Sequence, residues 1–473
     1  MHASLGSVPL ARSWRWGWLP LVPIAVGVAI PAGELIRWSY LPLVSAAGLV
    51  TCALLLRWAR RINGTRVSLL YGVVLLWFLY FPLRLLVVQG DRTYFTFHPI
   101  VQSSTDADFV AVWVLAVAGL AALVAGARSA RRLVREAVAV PKVDSSAYAM
   151  VGFAGLAVSF TLLRSGASSG LFVQLGPLAL FGIAALAYRD AVVGRIGARA
   201  TLFVVAGVYL GTIATFKEMA LQPVLAWVLG TLAGRQRRVP AWAVVAGIAL
   251  SVVAFLGVQG LRTAAELQEP SNLFRATVDA VTRYDLRTGS LDVDGKKGFE
   301  PVTNVASAIS RRTSGVEALL LVRDQVPTQR PYYRGETLTE PLLSLFPVRL
   351  GVASPEYPQL SLGRWFNTTF YAPDLRNNAS QATTWIADLY MNFGVAGIAI
   401  GLYLMGLLIG GVDRAFPATT ALGCGALAYV GSALVGIERN LAYSFAVTGI
   451  RLGILVLAIG LMRTMADRRA AAR

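Results

Sequence analysis

The chain has 473 residues, of which 56% are hydrophobic and only 14% charged, with a mean hydropathy of +0.61. A soluble domain carries about a quarter charged residues, so a soluble globular fold is excluded, and the recurrent apolar stretches of roughly 18 residues or more read as membrane-spanning helices. The net charge of +18 is spread over short loops between those stretches, which argues for membrane topology and against a nucleic-acid interface.

In chain order, the apolar runs predict about twelve spans, near residues 18–33, 40–56, 67–89, 107–126, 147–163, 171–188, 200–216, 219–234, 240–260, 386–411, 417–437 and 443–462. The first follows Arg12 and Arg15 but lacks an A-x-A-type cleavage site, so it reads as a retained helix. Cys52 and Cys424 each lie inside an apolar run and read as packing residues. His2 and His98 are the only histidines, so no His-rich metal site is expected. The connections alternate in charge. One set holds Arg57, Arg60, Arg61 and Arg66, then Arg128, Arg131, Arg132, Arg135 and Lys142, then Arg189, Arg195 and Arg199, then Arg235, Arg237 and Arg238. The tail adds Arg463, Arg468, Arg469 and Arg473. Lys and Arg in short loops stay cytoplasmic, which puts both termini inside.

Residues 261–385 interrupt this rhythm on the outer side, with 14 Lys/Arg against 13 Asp/Glu and aromatic residues throughout. A functionless loop of that length is unusual, so it reads as a folded extracytoplasmic substructure with short helices. The chain thus divides into 1–260 with nine spans, 261–385 as the large loop, and 386–473 with three spans and the basic tail. Within the loop, residues 303–325 predict an amphipathic helix ending before Pro327. Val305, Ile309, Val316, Leu319 and Leu320 share a face with Arg312 and Arg323, while Arg311 and Glu317 point elsewhere. Those two arginines either snorkel to headgroups or meet an anion, for which a diphosphate suits the guanidinium fork. Thr339 and Pro341 predict the start of a short helix ending by Pro347, with Arg334, Glu336, Glu340 and Arg349 around it. Arg364, Asp374 and Arg376 follow among Trp365, Phe366, Phe370, Tyr371 and Trp385. That mixture suits either a sugar phosphate or interfacial anchoring.

Outside the loop, Lys217 with Glu218 and Arg439 with Glu438 occupy outer turns, and Arg451 stands inside a span, where an arginine needs a partner or a task. Arg84 and Arg164, near outer helix ends, read as snorkelling side chains. Asp388 lies on the outer side at the mouth of the tenth span, where Trp385 and Tyr390 already serve as anchors, which leaves it as base or arginine partner. No P-loop, G-x-G-x-x-G after a strand, H-E-x-x-H or G-x-S-x-G motif is present.

The layout, with "TFKEMAL" at 215–221, "YYRGETLTEPLLSLFP" at 332–347 and "WIADLYMNFGVAG" at 385–397, resembles the O-antigen polymerase family (Wzy-type, oligosaccharide repeat unit polymerases). In that family the last stretch places an acidic residue two before a Tyr and then Asn-Phe-Gly, here Asp388, Tyr390, Asn392, Phe393 and Gly394. The resemblance implies an all-α, GT-C-like glycosyltransferase in the bacterial inner membrane, inverting and free of metal and cofactor. It would join undecaprenyl-diphosphate-linked oligosaccharide repeat units, one as donor and one as acceptor. A chain-length regulator is a conceivable further partner. Such a reaction needs cations for the leaving diphosphate, for which Lys217, Arg312, Arg323, Arg334, Arg349, Arg364, Arg376 and Arg439 are candidates. It also needs a base at the attacking hydroxyl, for which Asp388, Glu336 and Asp374 are candidates and His98 stays open. A ligase-like transferase and a transporter or flippase of lipid-linked oligosaccharide are the alternatives.

Overall fold

A computed structural model describes residues 46, 48–54, 57, 67–85, 103–134, 145–165, 171–195, 197–213, 217–235, 284–285, 290–291, 315–343, 362–371, 383–434 and 440–471. The described chain is helical apart from a two-residue antiparallel pair, Tyr284–Asp285 with Ser290–Leu291. Its helices are α1 (Leu69–Phe78), continued by a π turn at Leu79–Leu83, α2 (Asp106–Leu133) and α3 (Ser145–Ser165), then α4 (Leu178–Val192), α5 (Ala198–Ile213) and α6 (Lys217–Gly234). From the long loop come α7 (Gly315–Gln325), α8 (Glu336–Leu343) and α9 (Leu362–Phe366), and the chain closes with α10 (Trp385–Ala415), α11 (Ala421–Leu434) and α12 (Leu441–Ala471).

Among the described residues, five helices are long and apolar enough to cross a membrane: Asp106–Leu133, Ser145–Arg164, Val173–Val192, Trp385–Ala415 and Leu441–Thr464. Leu69–Leu83, Ala198–Ile213, Met219–Gly234 and Ala421–Leu434 are apolar but shorter. The expected spans near 18–33 and 240–260 lie outside the described residues. Within 40–56, residues 48–54 are helical.

Local chemistry sets the helix ends. Thr105 caps α2 in a reciprocal box, its hydroxyl accepting from Asp108 N–H while the Asp108 carboxylate accepts from Thr105 N–H at 3.0 Å. The first amides of α1 donate to Asp413, from Leu69 at 2.7 Å and Leu70 at 3.2 Å, so the C-terminal end of α10 caps α1. Helices α2 and α10 cross with their backbones in contact. A Cβ on Gly126 would strike Tyr403 O, and one on Gly406 would strike Leu123 O. Without a hydrophobic drive between helices in lipid, such small-residue faces let backbones approach and gain dispersion contacts. The buried α4 is the second axis, flanked by α3, α6 and α11.

The two ends of the bundle differ. Asp413 meets the start of α1, and Arg414 Nε donates to Val134 O at 3.4 Å, near Arg128, Arg131 and Arg132. At the opposite end Arg323 pairs with Asp108 at 2.9 Å, Arg84 with Glu317, and Asp388 with the start of α12.

Two expectations about the loop are corrected here. Helix α7 is no amphipathic surface helix: Gly315 through Val322 are all buried, and it packs against α2, α10 and the π turn Leu79–Leu83. Its preceding segment, with Arg311 and Arg312, lies outside the described residues. With residues 315–322 of this helix buried, Glu317 has no access to water, and its carboxylate accepts from Arg84 Nε at 2.7 Å. Arg84 is 1% exposed and therefore does not snorkel. Arg164 is exposed at the end of α3, with its guanidinium 5.9 Å from the Phe160 ring. The start expected for the short helix at Thr339 is also displaced. Helix α8 begins at Glu336, and the Thr339 hydroxyl turns back to donate to Glu336 O at 2.8 Å.

Candidate functional site

The stretch "DLYMNFGVAG" does not form a continuous span. At Gly394 the backbone takes φ 63° and ψ −149°, a region essentially restricted to glycine. In a straight helix Leu389 and Gly401 would lie about 18 Å apart, yet a Cβ on Gly401 would run into the Leu389 side chain. A Cβ on Gly397 would stand 2.6 Å from Leu389 O. Helix α10 therefore folds back on itself as a short arm, 385–393, and a long arm, 395–415. Residues 385–392 of the short arm are buried throughout.

The turn takes Val395 and Ala396 away from the helix, so the carbonyls of Met391 and Asn392 need other donors. They find them in the strap 331–335, which enters from α7: Tyr333 N–H donates to Met391 O at 3.0 Å and Arg334 N–H to Asn392 O at 3.2 Å. The strap passes through φ 50° at Arg334 and φ 96° at Gly335 before starting α8.

Beneath the strap lies a buried polar knot. Gly335 N–H donates to Asn392 Oδ1 at 2.8 Å. Asn392 Nδ2 donates to Thr337 Oγ1 at 2.6 Å and to Asp388 O at 2.7 Å. The Thr337 hydroxyl donates to Asp388 Oδ1 at 2.9 Å, and Leu441 N–H donates to Asp388 Oδ2 at 3.1 Å. Asn440 caps α12 by accepting from Tyr443 N–H at 3.1 Å, and its Nδ2 reaches Thr337 O at 3.0 Å. Asp388 is 0% exposed, and Thr337, Asn392 and Asn440 are buried with it. Three helix starts, those of α8, α10 and α12, are thereby tied to one carboxylate and one carboxamide. The anchor role expected of Trp385 is corrected as well. Its ring is fully buried, and its Nε1–H donates to Ser444 Oγ at 3.1 Å.

Around the knot stands a charged and aromatic surface. Arg334 and Glu336 are exposed on the strap and at the start of α8. Tyr332 meets Tyr390 edge-on, and Tyr333 meets Trp365 at 5.3 Å in a T-shaped contact. Trp365 and Phe366 both pack on Phe370, with the Arg330 guanidinium 5.7 Å from the Phe370 ring. Arg364, exposed, precedes Trp365. The fold thus gathers Arg334, Glu336, Arg364 and Asp388 around one structural feature. Arg323 pairs with Asp108 and lies near Tyr390, at the edge of the aromatic surface. Lys217 opens α6 with its side chain outside the description. Arg312, Arg349, Asp374, Arg376, Arg439 and His98 lie outside the described residues.

Sequence reasoning passed over Thr337, Asn440, Tyr333 and Arg330. Asn440 carried a readable signal, an N-cap residue directly before an apolar helix. Thr337 carried none, since its partners come from residues 51 to 103 positions away. Arg451 has the partners its position demanded. It is buried, with Nε donating to Gln174 Oε1 at 3.1 Å and Nη1 to Tyr429 O at 2.9 Å, and with Ser432 and the Tyr429 ring alongside. Among the described residues, no group of three or more His, Cys, Asp or Glu side chains comes together to hold a metal ion.

Residues 98–424 match the family described as "Domain of unknown function (DUF8712)", and the chain belongs to that family. The match includes the strap, the break at Gly394 and every member of the knot except Asn440 and Leu441. No curated protein and no solved structure matches the chain.

Proposed function

We propose that this member of the DUF8712 family is a membrane-embedded glycosyltransferase that polymerises undecaprenyl-diphosphate-linked oligosaccharide repeat units on the outer face of the bacterial inner membrane. One observation carries this reading. Exposed cations, an exposed carboxylate and a wall of aromatic rings on the strap, α8 and α9 are gathered beside the break in α10, at the end of the bundle opposite the arginine-rich end. In the proposed reaction an acceptor hydroxyl attacks the anomeric carbon of the donor and inverts it. The bond from that carbon to the diphosphate oxygen breaks, and undecaprenyl diphosphate leaves. Arg334 and Arg364 neutralise the charge that develops on the diphosphate. Glu336, two residues beyond Arg334 and open to solvent, takes the hydroxyl proton. The aromatic residues 332, 333 and 365 offer ring faces to sugars. Asp388, held by three donors below the surface, keeps the strap in place.

The break in α10 also suits a transporter, whose discontinuous helices bind substrate near the bilayer midplane. The long arm 395–415 alone runs about 30 Å, the thickness of the hydrocarbon core. Gly394 therefore falls at a membrane boundary, where transfer between two lipid-linked substrates would take place.

The test is polymerisation of a defined lipid-linked repeat unit by the purified full-length protein. A ladder of extended lipid-linked products is expected, and Glu336→Gln should lower its rate by about two orders of magnitude or more. A single-repeat product under all conditions, with the protein folded, overturns the reading. Movement of intact lipid-linked units across vesicles would establish the transporter instead.

A further inference from the structure

Arg334 is an exposed cation on an uncommon backbone. Its φ of 50° puts a residue bearing a Cβ in the left-handed region, beside Gly335 at φ 96°, a conformation disfavoured for L-residues. Such outliers persist where surrounding structure over-determines them, and they concentrate at functional sites. Here the over-determination comes from a single residue. The two peptide N–H groups flanking the Arg334 Cα both donate to Asn392, Arg334 N–H to its main-chain oxygen at 3.2 Å and Gly335 N–H to its Oδ1 at 2.8 Å. Together these bonds fix φ and ψ at Arg334, and so the direction in which its side chain leaves the strap.

Asn392 is itself held fast. It is 1% exposed, its carboxamide orientation is set by Thr337 Oγ1 at 2.6 Å and Asp388 O at 2.7 Å, and Thr337 is held in turn by Asp388 Oδ1 and Asn440 Nδ2. A Ser in place of Thr337 would keep the hydroxyl, whereas a Val would keep the shape and the main-chain bond from Asn440 Nδ2 but lose the hydroxyl's bonds to Asp388 Oδ1 and from Asn392 Nδ2.

From this we infer that Asn392 is a positioning residue, aiming the Arg334 guanidinium at the diphosphate of the lipid-linked donor, and that Thr337 orients Asn392 for the task. The inference deepens the proposed function and rests on it for the identity of the anion. The link between Asn392 and the Arg334 backbone stands on geometry alone.

The experiment uses full-length protein in nanodiscs, with a synthetic lipid-linked repeat unit as substrate and hydrogen exchange of residues 332–336 as a second readout. Asn392→Ala and Arg334→Ala should each lower kcat/KM for the donor about tenfold or more, with most of the loss in kcat, as expected when a cation acts on charge that develops in the transition state, and the double variant should be no worse than the worse single one. Exchange at 332–336 should quicken in Asn392→Ala and stay at the wild-type rate in Arg334→Ala. Thr337→Val should shift both readouts in the same direction as Asn392→Ala, and Thr337→Ser should restore them. Effects of Asn392→Ala and Arg334→Ala that multiply, or unchanged exchange at 332–336 in both Asn392→Ala and Thr337→Val, would overturn the inference. A wild-type protein that extends no lipid-linked repeat removes the proposed function, and with it the diphosphate. The exchange rates then decide the positioning role by themselves.

Discussion

Asp388 illustrates how one buried carboxylate can serve several helices. Its two oxygens accept from Thr337, Asn392 and the first amide of α12, so a polar side chain that would be costly in an apolar interior has hydrogen-bond partners at both oxygens. Asp388→Ala leaves the Leu441 amide and the Thr337 hydroxyl without that acceptor and should cost about 3 kcal/mol or more. Asp388→Asn keeps the shape and one acceptor and should cost about 1–2 kcal/mol. Unfolding of the purified protein in detergent measures both. If Asp388→Asn instead abolished polymer formation at wild-type stability, the carboxylate would be acting in the chemistry rather than in the knot. The motif "NFG" is explained at the same scale. A Cβ on Gly394 would stand 3.0 Å from Tyr332 Oη, at a φ of 63°. Gly394→Ala should therefore cost about 1–3 kcal/mol and, unlike an alanine elsewhere in the long arm, loosen the strap in hydrogen exchange. The residue types in this stretch were visible in the sequence, and Asp388 was marked as surplus to anchoring. Its fold-back was not visible, because an apolar run with glycines at 394, 397, 401, 406, 410 and 411 has the same hydropathy whether straight or folded at one of them.

Among the elements, α7 departs most from what its sequence suggested. Periodicity alone assigned it a wet face, but periodicity carries no information about which neighbours will cover a helix. Here α2, α10 and the π turn Leu79–Leu83 cover it, and Glu317 is left to meet Arg84, 233 positions away. The pairing explains why a span ends in an arginine that needs no water. A buried ion pair contributes little net stability, but removing one partner strands the other. Glu317→Leu and Arg84→Met should each cost about 3–5 kcal/mol, while the two replacements together should recover most of that loss. Thermal unfolding of the three variants checks it. A double variant as unstable as the sum of the singles would show that the two side chains act on separate parts of the fold. The long apolar helices were legible in the sequence, since hydropathy reads them directly, and where the caps Thr105 and Asn440 set their starts, at Asp106 and Leu441, these fall one and two residues from the expected ones. The short helices α8 and α9 were legible only as a dense mixture of charge and aromatic residues, with boundaries that long-range contacts decide.

At the scale of the whole molecule, two kinds of charge are sorted to opposite ends. Arg128, Arg131, Arg132 and Arg414 gather where α2 and α10 finish. The strap, the knot and the pairs Arg323–Asp108 and Arg84–Glu317 lie at the other end. By the positive-inside rule the first set is expected on the cytoplasmic side, which would turn the strap toward the outer face, where lipid-linked repeat units would be met. Cysteine labelling tests this orientation cleanly, because the native cysteines Cys52 and Cys424 are both buried and should leave the unmodified protein unlabelled. In intact spheroplasts, Arg364→Cys is expected to react with a membrane-impermeant maleimide, and Arg468→Cys only after the membrane is opened. The reverse pattern would place the strap in the cytoplasm, where the proposed donor is not presented for polymerisation, and would overturn both the topology and the reaction assigned to this end of the bundle. Equal labelling of both positions in sealed cells would mean that the basic segments do not set the orientation at all.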